Sequence, residues 1–165
     1  MIEAIEQSAY AVWVRESPSF WAYTWILSLH AMGLAVVVGI NSMVALRLLG
    51  YVPEIKINTL RKLVPWMYLG FTVNAFSGLS LLAANASNDL HNWMFFVKLS
   101  MIALAMVNLE LTKIKVFDHP AVVNGTGVPP GTTKFAVLSI TFWTIAIIAG
   151  RLTEYPSFVQ AWFGF

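Results

Sequence analysis

The chain has 165 residues, of which 58% are hydrophobic and only 11% are charged, and it contains no cysteine. Soluble domains carry about 25% charged residues, and a core of this size cannot bury so much apolar surface, so the composition indicates a membrane protein. The absence of cysteine excludes disulfides, thiolate-bound zinc, iron–sulfur clusters, covalently attached c-type haem and a cysteine nucleophile. The formal net charge of +2 is too small to indicate a nucleic-acid partner.

Residues 2–16 are predicted to form an amphipathic helix that lies in the membrane interface. Its apolar side chains share one side of the helix: Ile2, Ile5, Ala9, Val12 and Trp13. A secretory signal peptide is not predicted, because Glu3 and Glu6 stand where such a signal needs positive charge. Ser17 and Pro18 then end the segment before the first long apolar stretch.

Four continuously apolar stretches are long enough to cross a bilayer, whose hydrocarbon core of about 30 Å takes about 20 helical residues. They cover approximately residues 20–49, 63–84, 92–112 and 133–155. Because they are continuously apolar, they do not show the alternating pattern of a membrane β-barrel. The sequence therefore predicts an all-α integral membrane protein, with a single domain over residues 1–165 that forms an antiparallel four-helix bundle.

Lysine and arginine concentrate at one end of the predicted spans. Seven of the ten lie in or beside the first and third links between spans: Arg47, Lys56, Arg61, Lys62, Lys113, Lys115 and Lys134. Because cytoplasmic loops are enriched in these residues, both termini are predicted on the outer side of the membrane. We therefore expect a multi-pass protein of the bacterial inner membrane with periplasmic termini.

Among the polar residues within the predicted spans, one in each span is selected as a candidate site residue: His30, Asn74, Lys98 and Arg151. An ionisable group within a span costs several kcal/mol unless it is paired or hydrated, so such groups are functional candidates. At 1.5 Å per residue, His30 lies near the midplane, and Lys98 and Arg151 lie nearer the outer edge. The four are predicted to share an outward-opening polar pocket with at least one unpaired positive charge, suited to a carboxylate or another anion.

Each of these residues also has a purely structural interpretation. His30 could form only a hydrogen bond to a neighbouring helix, and the long side chain of Lys98 could extend to the interface. Arg151 could pair with Glu154 or with lipid headgroups. Neutralisation of one cation by Glu154, Glu16 or Asp89 is also compatible with the sequence.

Short motifs around these residues resemble those of known membrane proteins: residues 28–33 with His30, 60–66, 96–99 with Lys98, and 149–152 with Arg151. They resemble the motifs of an uncharacterised family of four-helix bacterial integral membrane proteins (a domain of unknown function), and this resemblance covers nearly the whole chain. More distantly, the pattern is similar to CopD-like copper-resistance proteins and HemJ-type protoporphyrinogen oxidases. The latter resemblance implies roles for His30 and Lys98 in haem b binding and activity. Many relatives end the third helix in a histidine, whereas this chain has Leu111, Thr112 and Lys113 there, which argues against a bis-histidine haem site.

Three functions remain open at this point. The first is a redox-associated role in which the pocket binds haem b or a quinone, with His30 as the metal ligand and with Asn74, Lys98 and Arg151 as further cofactor-binding residues. The second is a non-catalytic accessory or scaffold subunit of a larger membrane complex or a homo-oligomer, which could dock through its C-terminal residues 162–165. The third is transport of copper or of a small anion. No catalytic residue or enzyme motif is identified, so the sequence favours a protein without independent catalytic activity.

Overall fold

The structure, a computed structural model, describes residues 2–125, 127–155, 157 and 159. Within these ranges the chain forms nine α-helices and one π-helical turn, and it forms no strand. The α-helices are α1 (Ile2–Glu6), α2 (Ala9–Glu16), α3 (Tyr23–Leu49), α4 (Ile57–Arg61), α5 (Val64–Ala84), α6 (Ala86–His91), α7 (Trp93–Thr112), α8 (Pro120–Val123) and α9 (Thr133–Leu152). The π-helical turn, Lys113–Phe117, continues α7.

Four helical segments are long and apolar enough to cross a membrane: Tyr23–Leu49, Ile57–Ala84, Trp93–Phe117 and Thr133–Leu152. At most 33% of the most apolar window of each segment is buried inside the protein. Most of these apolar side chains therefore face outward, as they do when lipid is the solvent. The prediction of an all-α protein with four helices able to span a membrane is confirmed.

The ends of the long helices follow from local sequence. α3 ends at Gly50, whose φ of 88° is a left-handed conformation that terminates helices at little cost for glycine. α5 begins with Pro65 in its first turn, where the missing amide hydrogen is not needed. The third segment extends to Phe117, beyond the predicted end at residue 112, because the π-helical turn prolongs α7.

The N-terminal segment differs from the single helix predicted over residues 2–16. It consists of α1 and α2, and Ser8 separates them with an extended backbone at φ −62° and ψ 146°. The Ser8 hydroxyl accepts a hydrogen bond from the amide of Ala11 at 3.3 Å. This side chain caps a new helix N-terminus, so a separate helix begins at Ala9 and the first helix does not continue through Ser8.

The four long helices form a bundle of two closely packed pairs. α3 packs against α5, α7 packs against α9, and α3 also contacts α9. A Cβ atom at Gly33 would lie 2.8 Å from backbone atoms of both Gly70 and Asn74, so α3 and α5 cross at a distance that only glycine permits there. Small residues at helix crossings let membrane helices approach closely and gain van der Waals contact.

The apolar core is concentrated at one end of this bundle. A cluster there joins the end of α3 to the short helices α4 and α8 and to the π-helical turn, and Leu60, Val116 and Phe117 are at most 1% exposed. A smaller cluster of Val37, Ala105 and Trp143 lies nearer the middle. Beyond that cluster, toward the start of α3 and the end of α9, the helices enclose a cavity.

Candidate functional site

A cavity of about 400 Å³ lies between α3, α5, α7 and α9. Each of the four helices contributes one of the predicted site residues to its lining: His30, Asn74, Lys98 and Arg151. Most of the other lining side chains are apolar, including Leu34, Leu81, Phe95, Ile102, Trp143 and Ile147. A largely apolar cavity of this size with a few convergent polar groups is typical of small-molecule sites. The structure thus brings the four residues together, whereas their binding of a cofactor stays a prediction.

His30 is held against α5 by a reciprocal pair of hydrogen bonds with Asn74. The imidazole Nδ1 lies 2.9 Å from the Asn74 carbonyl oxygen and 3.2 Å from the Ser77 hydroxyl. In return, the Asn74 side-chain amide donates to the His30 carbonyl oxygen at 2.8 Å. Because Nδ1 donates its hydrogen to the Asn74 carbonyl in the neutral ring, Nε2 keeps its lone pair and can accept a hydrogen bond or ligate a metal.

Gly78 provides the space that the His30 ring occupies. A Cβ atom at this position would lie 2.9 Å from His30 Cε1 and 3.3 Å from Nδ1. Gly78 follows Asn74 by four residues, so both lie on the same face of α5. The sequence places them on one face but does not reveal that Gly78 makes room for the imidazole.

Lys98 is partly buried at the α7 wall of the cavity. Its ammonium group lies 5.9 Å from the centre of the Phe95 ring, and it forms no ion pair within 4 Å with a carboxylate in the described part of the chain. A Cβ atom at Gly150 would lie 3.3 Å from Lys98 Cδ, so this glycine accommodates the lysine side chain against α9. Among the described residues, the ammonium group is therefore positioned beside the cavity without a carboxylate partner.

Arg151 is exposed at the mouth of the cavity and pairs with Tyr155, one helical turn away. Its guanidinium donates to the Tyr155 hydroxyl at 3.0 Å and lies 5.2 Å from the ring centre. No ion pair between Arg151 and Glu154 is found within the described ranges, and pairing of Arg151 with lipid headgroups stays a prediction.

Two carboxylates, Asp89 and Glu154, also line the cavity and balance the two cations. With neutral His30, the described lining has no formal net charge, but neither cation forms an ion pair within 4 Å in the described part of the chain, so the lining does hold unpaired positive charge. Glu16, the third candidate for neutralisation, instead pairs with Arg15 at 2.9 Å. Burial, and secondarily the nearby Glu154 carboxylate, raises the pKa of Asp89 above its usual range, and Lys98 opposes this effect. Such a balanced lining suits a neutral ligand better than an anion.

The cavity opens both toward an apolar surface and toward a polar one. Leu27 and Ile147 line it and remain 44% and 43% exposed on the outer surface of the bundle. A larger polar cavity of about 680 Å³ adjoins it and shares Asp89, Thr153 and Glu154. A molecule with an apolar tail and a polar head could therefore reach His30 from the side of the bundle.

The site does not contain the ligands of a protein-only metal centre. No group of three or more His, Asp or Glu side chains that could hold a metal ion occurs in the described part of the chain. His30 is the single imidazole among the described lining residues, and Met94 and Met101 do not line the cavity. Among the described lining residues, His30 is the side chain suited to ligate a metal that a larger cofactor carries.

The chain matches no protein-family model, no curated protein and no solved structure. The resemblance to four-helix bacterial membrane proteins, to CopD-like proteins and to HemJ-type proteins therefore stays a prediction. Docking through the C-terminal residues 162–165 also stays a prediction, because these residues lie outside the described ranges.

Proposed function

We propose that this cavity binds a redox cofactor with an apolar ring, that a quinone fits it best, and that haem b is the second candidate. The observation that carries the proposal is the contact between His30 Nδ1 and the Asn74 carbonyl oxygen, from which we infer the tautomer of His30. Its Nδ1 is committed to the Asn74 carbonyl at 2.9 Å, so the Nε2 lone pair is available within a mostly apolar cavity. The role we infer is redox-associated and does not require a catalytic residue.

A quinone matches the polar groups and the charge of the cavity. Its reduced form carries hydroxyl groups that can donate to His30 Nε2, and its oxidised form carries carbonyl oxygens that can accept from the Lys98 ammonium. Phe95 and Ile102 supply apolar contacts for the ring, and the opening beside Leu27 leads to the surface where a lipid-soluble tail would lie. A neutral ligand also leaves the balance between the two carboxylates and two cations undisturbed.

Haem b is supported by the same hydrogen bond, because a metal-bound histidine usually donates its other ring nitrogen to a carbonyl or carboxylate. His30 Nε2 would bind the haem iron, and Lys98 and Arg151 would hold the propionates. Asp89 and Glu154 would repel those propionates, and the described lining offers only one imidazole. We therefore rank haem b below a quinone. Either group, when bound, supplies electron transfer that the side chains of this protein cannot.

The proposal is tested by purifying the protein from its native membrane in mild detergent and measuring both cofactors. Quinone is quantified by solvent extraction and chromatography, and haem by the Soret absorption band. We expect quinone near one equivalent and no Soret band. His30→Gln should weaken binding of the reduced quinone about five- to tenfold, because the flexible amide does not hold an acceptor fixed at the position of Nε2.

The matched control is His91→Gln, which changes an exposed histidine on α6 that does not line the cavity. It should retain the wild-type quinone content. A Soret band that is present in the wild-type protein and disappears in His30→Gln would show that the cofactor in this site is haem b and not a quinone. Wild-type protein without either cofactor, or equal cofactor content in wild type and His30→Gln, would refute the proposal.

For the placement in the membrane, we infer an antiparallel bundle with both termini on the periplasmic side of a bacterial inner membrane. The lysines and arginines concentrated at the α4 and α8 end support this orientation. We also infer that α1 and α2 form an amphipathic, interfacial layer at the opposite end. Tyr10 and Trp13 are 50% and 44% exposed on α2, and the Tyr10 hydroxyl donates to Ser80 at 2.8 Å, which ties this layer to α5.

Labelling of single cysteines tests this orientation, because the natural chain has no cysteine background. The exposed residues Asn88 and Asn124 lie in the second and third links between the long helices. A membrane-impermeant maleimide should label Asn88→Cys in intact cells and should label Asn124→Cys only after permeabilisation. The reverse labelling pattern would indicate the opposite orientation in the membrane. Labelling of both cysteine variants in intact cells would contradict the proposed topology.

A further inference from the structure

A second cavity, of about 450 Å³, lies at the basic end of the bundle, away from the cofactor site. Its polar lining consists of two cations and two amides, Arg47, Lys56, Asn58 and Asn124, and its apolar lining includes Val122 and Val123. None of the described residues that line it is a carboxylate. The cofactor cavity, by contrast, balances its cations with Asp89 and Glu154.

Arg47 is fixed in place, and with respect to the described residues most of its hydrogen-bonding capacity remains available. Its Nε donates to the Ile55 carbonyl at 2.5 Å, which anchors the guanidinium in the last turn of α3. A guanidinium has five N–H donors, so the terminal nitrogens can still bind an anion. Within the described ranges, Arg47 and Lys56 form no ion pair, whereas Arg61 at the same end is neutralised by Asp118 at 2.9 Å.

This cavity lies at the level where the membrane-crossing helices meet the aqueous phase. Arg47 lies two residues before the end of one candidate span at Leu49, and Ile57, which also lines the cavity, begins the next. Val123 lines the cavity and is 50% exposed. An anion that carries apolar chains therefore meets cationic groups and apolar surface together here.

We propose that this cavity binds the headgroup of an anionic phospholipid. The guanidinium of Arg47 would form two parallel hydrogen bonds to the phosphate oxygens, and the Lys56 ammonium would add its positive charge. The side-chain amides of Asn58 and Asn124 would bind the hydroxyl groups of a polyol headgroup such as glycerol. Basic pockets between membrane helices recognise anionic headgroups in this way. The site is independent of the proposed cofactor function, because it lies at the other end of the bundle and shares no lining residue with that cavity.

The test is native mass spectrometry of the delipidated full-length protein titrated with phosphatidylglycerol or phosphatidylcholine of identical acyl chains. Phosphatidylglycerol should bind more tightly, and Lys56→Gln should weaken its binding about fivefold, as expected for one cation near the headgroup. Lys62→Gln is the matched control, because Lys62 is an exposed cation at the same end that does not line the cavity. It should change the affinity by less than about twofold.

A second variant separates geometry from charge. Arg47→Lys keeps the positive charge but cannot form two parallel hydrogen bonds to a phosphate, so it should also weaken phosphatidylglycerol binding. Equal affinity for the two lipids, or equal losses in Lys56→Gln and Lys62→Gln, would overturn the proposal. Displacement of phosphatidylglycerol by millimolar inorganic phosphate would assign the cavity to a soluble anion and overturn the lipid assignment.

Discussion

Substitution of Gly78 by alanine perturbs the proposed cofactor site without removing any polar group. The added methyl carbon would lie 2.9 Å from His30 Cε1 and 3.3 Å from Nδ1, closer than carbon atoms pack in proteins. The imidazole must therefore turn away from α5. This movement breaks or lengthens the hydrogen bond to the Asn74 carbonyl, now 2.9 Å, that determines the tautomer of His30.

The expected magnitude combines three effects. Overpacking costs about 1–3 kcal/mol, loss of one hydrogen bond costs about 0.5–1.5 kcal/mol, and exchange of glycine for alanine within a helix gains up to about 1 kcal/mol. We therefore expect a net loss of about 0.5–4.5 kcal/mol in the free energy of unfolding. Cofactor content should fall as well, because Nε2 no longer points in its original direction.

The assay is unfolding by SDS titration in mixed micelles, followed by circular dichroism, together with cofactor quantification. Gly39→Ala in α3 is the matched control, since a Cβ atom there has no neighbouring heavy atom within 4 Å. It should leave cofactor content unchanged and alter stability by no more than about 1 kcal/mol, in the stabilising direction. Equal behaviour of the two alanine variants would refute the close contact between Gly78 and His30.

Three further substitutions test other parts of the structure. Gly33→Ala should lower the free energy of unfolding more than Gly78→Ala in the same titration. The reason is that a Cβ atom at position 33 would lie 2.8 Å from backbone atoms of α5. A smaller loss would contradict the close crossing of α3 and α5. Asp89→Asn should be more stable than wild type at pH 7, because the raised pKa of Asp89 means that folding disfavours its ionised form. This advantage should shrink as thermal unfolding is repeated at lower pH and should vanish only below about pH 3, where the carboxyl is protonated in both states, and a constant difference would contradict it. Arg61→Gln should cost less than about 1 kcal/mol in SDS unfolding, because Arg61 and Asp118 are both solvent-exposed, and a larger loss would show that this pair is structural.

The convergence of the four polar side chains was predictable because hydrocarbon penalises each of them. His30, Asn74, Lys98 and Arg151 each stand in an apolar stretch, and their depth follows from a rise of 1.5 Å per residue. Helices that carry such residues turn them inward to avoid lipid. The cost of exposing these side chains to lipid and their depth along each helix therefore predict one shared chamber. This prediction does not require knowledge of which helices pack together.

The charge balance of the chamber was not predictable in the same way. Asp89 and Glu154 lie in α6 and just beyond α9, outside the helix periodicity from which the faces of the long helices are read. The direction in which these two carboxylates point depends on how the segments between the long helices fold at that end of the bundle. The sequence offered both as candidates for neutralisation but could not distinguish them from Glu16, which instead pairs with Arg15.

Contacts between helices could not be predicted from the sequence either. The roles of Gly78 and Gly150 depend on the register between α3 and α5 and between α7 and α9, and a single sequence does not determine that register. The break at Ser8 arises from a local competition, because a serine side chain that caps a new helix replaces a backbone hydrogen bond of a continuous one.

The central claim is that His30 presents Nε2 to a cofactor within the cavity between the four long helices. The most direct measurement is an experimental structure of the protein purified with its native lipids, at a resolution that defines ring-shaped ligands. We predict ligand density within hydrogen-bonding or coordination distance of His30 Nε2, with Nδ1 still bonded to the Asn74 carbonyl. A cavity filled only by water or acyl chains, or an imidazole directed at the surrounding lipid, would contradict this account.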